Sequence, residues 1–476
     1  MVFLAVAVAM TLIYAVWCVW VPLLPGNLYT PLLDLGKITG YRWSSATLYV
    51  LIVLLLYVLY AIGYRASGST RVRTGWIFAV AAVFCGELLF AYPATAVDLF
   101  GYIADGRLLA LHGVNPFVAA PDAFPGDPIV KFLAFPDEPS QYGPIWVLMS
   151  GGLARLAGGD LLSEVLLYKV LAAAAHLASG GVVLRIAQIL SRDSARARAS
   201  AYLYVCNPLL LWEMVANAHN DGLMMLFGLG GVWLFVRHRN LMVVPAVAAA
   251  ALVKVPVALI APSLFIGVWR RSRARALEGV LLGLTLAAVV YRPFWQGPGT
   301  LTALKRTDLF TASMASVLRL ALKPSVGLDE ASTVARTASL SAFAAVAVIA
   351  LVLAIRAESD TDILRAAYVS LLGALLLLTT WFQAWYIVWP FAIGAALAEP
   401  RRHVEVALLS LGGLLQYFVF IYLWVIGVFP SGENIGVQAT AYVAIMGPLV
   451  LALLVRGANR LWRIPIPSRV PTGEYH

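Results

Sequence analysis

The chain is short of charge. Only 12% of its 476 residues are Asp, Glu, Lys or Arg, about half the ~25% of a soluble domain, whereas 61% are hydrophobic and the mean hydropathy is +0.85. This excludes a soluble globular enzyme and points to a polytopic membrane protein. Cysteine is equally scarce. Cys18, Cys85 and Cys206 all fall in apolar segments, which excludes a disulfide framework and makes them small core residues. No Gly-rich nucleotide loop, clear metal-ligand cluster or internal repeat is visible. The first apolar run, Met1 to Leu24, lacks a charged leading segment and a clear cleavage site, so it is expected to stay as the first span. The net charge of +10 does not call for nucleic acid, because the basic residues gather in short loops between apolar runs, as the positive-inside rule describes.

A crossing needs about 20 apolar residues. Candidate spans run over 2–24, 43–63, 75–92, 163–190, 200–217, 221–237, a broken pair 241–253 and 255–269, then 277–292, 333–355, 363–382, 385–398, 404–428 and 439–456. The expected fold is an all-α bundle of about 13 transmembrane helices. It forms a single membrane domain over 1–464, with a Pro-rich polar tail, 465–476, expected to be disordered. Basic clusters at 65–73, 192–198, 237–239, 270–275, 401–402 and 456–463 mark the cytoplasmic side. With the N-terminus inside, loops 93–144 and 293–330 and the turns near His219 and 381–386 fall outside. Two runs resist a simple crossing. Ile145–Ala157 reads as a re-entrant or interfacial helix. Residues 241–269 read as a re-entrant hairpin with Lys254 near its apex.

The longest polar interval holds Asp98–Phe117, DLFGYIADGRLLALHGVNPF. Asp98, Tyr102, Asp105, Leu109 and His112 recur on one helical face, with a stop expected at Gly113. Within apolar runs, Glu87, Lys169, His176, Glu213 and Lys254 are costly, at about 2.5–3.5 kcal/mol for a charge at the bilayer centre. Lys169, near a span end, is expected to pair or snorkel. Lys254 suits a phosphate at membrane depth, though a hydrogen-bonded structural lysine would also explain it. Ala218-His219-Asn220-Asp221 makes a tight outer turn in which Asp221 could be a helix cap. Arg292 breaks the basic-inside trend, which favours an anion contact. Trp381-Phe382-Gln383-Ala384-Trp385-Tyr386 is either an interfacial aromatic belt or a surface for a sugar or lipid chain. Tyr142-Gly143-Pro144 returns the first loop to the bilayer.

Asp98–Phe117 followed by Tyr142-Gly143-Pro144 resembles the first external loop of polyprenol-phosphate-sugar-dependent glycosyltransferases of the GT-C superfamily. The nearest likeness is to bacterial α-mannosyltransferases that use polyprenyl-phosphate-mannose. Asn207-Pro208 before His219-Asn220-Asp221, Lys254 before Pro256, and Trp385-Tyr386 to Trp389-Pro390 are also similar. The resemblance implies a GT-C-like bundle with an external catalytic loop containing short interfacial helices. It implies transfer of a hexosyl unit, mannosyl first among them, from a polyprenyl-phosphate donor to a glycan or glycolipid acceptor on the outer face. Asp98 would be the general base of an inverting reaction. Lys254 and Arg292 would hold the donor phosphate, and Tyr102, Asp105, Asn115, Tyr142, His219, Asn220, Asp221, Gln383, Trp385 and Tyr386 the substrates. No cofactor or metal is implied. The alternatives are a secondary transporter or lipid-linked-sugar flippase, or a related enzyme using arabinofuranose or glucose donors.

Overall fold

The structure, a computed structural model, describes residues 1–305, 309–432 and 434–461; the tail over 465–476 and Arg463 lie outside the described residues. It is all-helical. Among the described residues the only β-type pairings are isolated bridges, Pro22 with Ala91 and Thr311 with Trp381. Eight helices among them are long and apolar enough to cross a membrane: Val2–Trp20, Trp43–Ser67, Leu161–Ser191, Arg273–Phe294, Leu328–Ile355, Asp360–Leu378, Pro400–Leu423 and Ile435–Leu454. Five shorter apolar helices join them: Thr74–Leu88, Pro144–Ala157, Asp221–Val236, Asn240–Ala251 and Ala384–Ala396. Many of their outward side chains are exposed apolar residues, such as Leu51, Leu55, Leu281, Leu284, Val348 and Leu451. A surface of this kind needs lipid to cover it.

The basic clusters collect at one end of the bundle. Arg198 donates to the carbonyls of Gly68 and Ser69, and His403 bonds Tyr64 and Ser200. Arg271 reaches Phe235 O, Asn240 and Asp360, while Arg365 joins Asp362 to Glu399. Helices run from this end towards the residues singled out for chemistry and back again.

Two elements decide the geometry at the other end. Helix Pro144–Ala157 does not travel to the basic end. Its start is fixed to the 252–254 segment, and past its end the Gly159 carbonyl accepts from Arg107 on the helix Asp98–Ala110. The two helices lie side by side with Gly106 against the Ser150 carbonyl; a Cβ there would stand 2.5 Å from that oxygen. The second element is the break in 240–271. Helix Asn240–Ala251 stops, Lys254 is extended (φ −158°, ψ 132°), a 3-10 turn covers Val255–Ile260, and helix Ala261–Arg271 returns. The 12-residue first limb is about 18 Å long, short of a ~30 Å hydrocarbon core.

Candidate active site

Asp98 opens its helix, two turns before Asp105, and both carboxylates line a cavity of about 380 Å³. Facing them are Tyr142, Lys254, Gln383, Trp385 and Tyr386, with Thr95, Glu138, Ser140 and Trp381 completing the polar and aromatic wall. Tyr142 donates its hydroxyl to Asp98 Oδ1 at 3.1 Å. Burial first, and then the acidic groups crowded around it (Tyr102, Asp98 and Asp105), hold the Tyr142 phenol far above its ordinary pKa, so it remains a donor.

Tyr142 reaches this position because of the glycine after it. Gly143 N–H donates to Val253 O at 2.9 Å and Ile145 N–H to Leu252 O at 3.0 Å. The contact is so close that a Cβ on Gly143 would stand 2.0 Å from the Leu252 carbonyl oxygen, so only glycine fits. Pro144 then starts the helix, where its missing N–H costs nothing. The first loop is thereby bonded directly to the segment that carries Lys254.

Lys254 donates to Asp221 Oδ2 at 2.6 Å; the lysine side chain is 15% exposed and the aspartate fully buried. Its ammonium also lies 5.7 Å from the Tyr142 ring centre and 5.2 Å from that of Tyr386, within cation–π range. Trp389 Nε1 donates to the other Asp221 oxygen at 2.7 Å. Asp221 is thus the counter-ion of Lys254 and not a cap: the residue at the cap position is Asn220, and its side chain makes no capping bond.

The remaining expected residues divide between cavity wall and support. Trp385 stacks on His219 at 4.0 Å. His219 is fully buried beneath it, 3.3 Å from Glu213. Tyr102 is also buried; it bonds Asn220 Oδ1 at 3.3 Å and meets Tyr142 edge-on. Asp105 accepts from Ser140 Oγ at 2.6 Å, and burial pushes its carboxyl up to about 7 against that bond. Asn115 donates to Phe294 O and accepts from Phe117 N–H, tying the loop to the C-terminal end of helix Arg273–Tyr291. Arg292 stands exposed there, off the cavity wall. His112 turns away to Asp127 at 2.9 Å. Lys169 does neither of the things expected of it, snorkelling or pairing with a carboxylate: it is fully buried and donates to the Leu88 and Ala91 carbonyls, and His176 bonds Val205 O.

One buried network was missed from the sequence. Arg107 pairs with Glu164 and Asp127 at 2.7 Å each and anchors the first loop to helix Leu161–Ser191. Arg107 lies on the helix face away from Asp98, and its partners are 57 and 20 residues distant. The one available signal was an arginine within an apolar helical face.

A family model described as "Alpha-(1->6)-mannopyranosyltransferase, N-terminal domain" matches residues 3–271. Alpha-(1->6)-mannopyranosyltransferase A of Mycobacterium tuberculosis is 25% identical over 369 residues, covering 72% of this chain and 69% of that protein. A probable alpha-(1->6)-mannopyranosyltransferase of Mycolicibacterium smegmatis is 30% identical over a shorter stretch, 30% of this chain and 26% of that protein. Alpha-(1->6)-mannopyranosyltransferase A of Corynebacterium glutamicum is 25% identical over 37% of this chain and 35% of its own length. The resemblance read from the motifs is borne out: the chain is a multi-pass membrane glycosyltransferase and belongs to the alpha-(1->6)-mannopyranosyltransferase family.

Proposed function

We propose that this enzyme transfers a mannosyl unit from polyprenyl-phosphate-mannose to the 6-hydroxyl of a glycan or glycolipid acceptor at the outer face of the membrane. The single observation that carries the reading is the convergence of base and cation on one tyrosine. Tyr142 bonds Asp98 and covers Lys254, so a carboxylate and an ammonium face one cavity. A sugar hydroxyl is a poor nucleophile and needs a base in reach. Asp98 takes the acceptor O6 proton as O6 bonds to the anomeric carbon. The bond from that carbon to the phosphate oxygen breaks on the opposite side, and polyprenyl phosphate leaves with the electron pair. Inversion of a β-linked donor gives an α-linked product. The leaving phosphate needs charge stabilisation more than a proton, and Lys254 supplies it; Arg292 has no part in this scheme. Trp385 and Tyr386 offer ring faces to the sugar, and Asp105 orients the acceptor. The outer location is supported by the basic clusters at the far end of the bundle, and the short limbs that meet at Lys254 suit a re-entrant hairpin.

The test uses purified enzyme with labelled polyprenyl-phosphate-mannose. Asp98→Asn should lower turnover by roughly 10²–10⁴-fold with donor binding retained, and Lys254→Ala should weaken donor binding. Transfer at the wild-type rate by Asp98→Asn would remove the base assignment. Unchanged donor affinity in Lys254→Ala would remove the phosphate role.

A further inference from the structure

Beside the Asp98 cavity lies a second, of about 420 Å³, which the chemistry above does not use. The two share Thr95, Trp381 and Gln383 as a common partition. On its far side the second cavity is walled by Asp34, Tyr41, Gln416 and Trp424. Gln416 is only 3% exposed, yet its Oε1 has no hydrogen-bond partner. A buried amide oxygen left unpaired is costly, and since Gln416 lines the cavity wall, a small rotation of its side chain lets that oxygen accept from whatever enters. Asp34 accepts from the Tyr41 hydroxyl and from Lys37 N–H and retains further lone pairs.

We infer that this second cavity is the acceptor site, and that it takes the pyranose rings of a hydroxyl-rich oligosaccharide. Aromatic faces beside a carboxylate and two amides match the apolar faces and hydroxyl edges of a sugar. A polyprenyl chain would strand the same polar groups without partners. The terminal sugar passes the partition between Thr95 and Gln383, so that its hydroxyl meets Asp98. The partition is fixed from below: Thr95, Asn217 and Tyr417 all donate to the buried Glu213 carboxylate. The inference rests on the first cavity being the donor site.

The probe is a synthetic octyl α-mannosyl-(1→6)-mannoside, used with wild-type enzyme, Gln416→Leu and Trp424→Ala. Transfer kinetics should show the KM for this probe rising about tenfold in each variant with the donor KM unchanged. Ligand-observed NMR without donor should show binding by the wild type and its loss in the variants. An unchanged probe KM in both variants, or a rise in donor KM instead, overturns the inference, as does a wild type that does not bind the probe. If the wild type binds the probe but transfers nothing from polyprenyl-phosphate-mannose, the donor reading fails while the binding arm still decides this one. Trp424 is 40% exposed, so its truncation keeps the test available should Gln416→Leu fail to fold.

Discussion

Lys254 is held by one carboxylate and two rings, and its worth at the site depends on that company. Asp221→Asn keeps the Trp389 bond but leaves the ammonium without its counter-ion. Breaking a buried pair from one side costs about 3–5 kcal/mol, so a clear fall in Tm is expected in detergent, together with loss of transfer. A thermal melt equal to wild type would contradict the pairing. Asp105 gives a second expectation. Its carboxyl is raised from 3.8 to about 7 by burial, so the folded protein holds a proton that the unfolded chain has released. Stability from this group is full below about pH 4, falls as pH rises towards 7, and is level above. Asp105→Asn, which can still accept from Ser140, should flatten that slope and be more stable than wild type at pH 8; Tm measured across pH decides. At this scale much of the site was legible. Asp98, Lys254, Trp385 and Tyr386 stood out because a charge or a polar turn in so apolar a chain needs a cause. Arg107 did not, because Glu164 and Asp127 are remote in sequence and only the fold brings them to it.

Among the elements, the turn Tyr142-Gly143-Pro144 governs most. Gly143→Ala would force a methyl group to 2.0 Å from the Leu252 carbonyl oxygen. Overpacking of this kind costs about 1–3 kcal/mol or more, and relieving it must move Tyr142 away from Asp98 and Lys254 together. Transfer is therefore expected to fall by at least about tenfold with bulk helicity unchanged, read by activity and circular dichroism. Wild-type activity in Gly143→Ala would mean that the contact is not needed. The break around Lys254 was visible in Val255-Pro256, since proline disfavours a helical residue before it. The stop near Gly113 was visible too: the helix ends at Ala110, and Gly113 takes φ +68°. Helix Pro144–Ala157 was harder to place, because its apolar run resembles a crossing and only tertiary contacts, with Leu252, Val253 and Gly106 and through Arg107 with Gly159 just past its end, hold it at the site end.

At the scale of the molecule, apolar run lengths and basic clusters carried most of the architecture. The exact division into eight long and five short helices among the described residues was not legible, since the break at Asn207-Pro208 and the π turn Leu211–Ala216 split the run 200–217, which reads as continuous, into short pieces. Sidedness is open to direct test. Single cysteines at exposed Asp122 and Arg196 should react with a membrane-impermeant maleimide from opposite faces, Asp122 from outside. Labelling of both from one face would overturn the topology. The bonds from Gly143 and Ile145 to the 252–253 carbonyls also bear on engineering. They make residues 93–157 and 240–271 one coupled block, although 82 residues separate them in the chain. A chimera that imports either piece alone from a relative joins mismatched surfaces; one that imports both transplants the Asp98 carboxylate and the Lys254 ammonium in register.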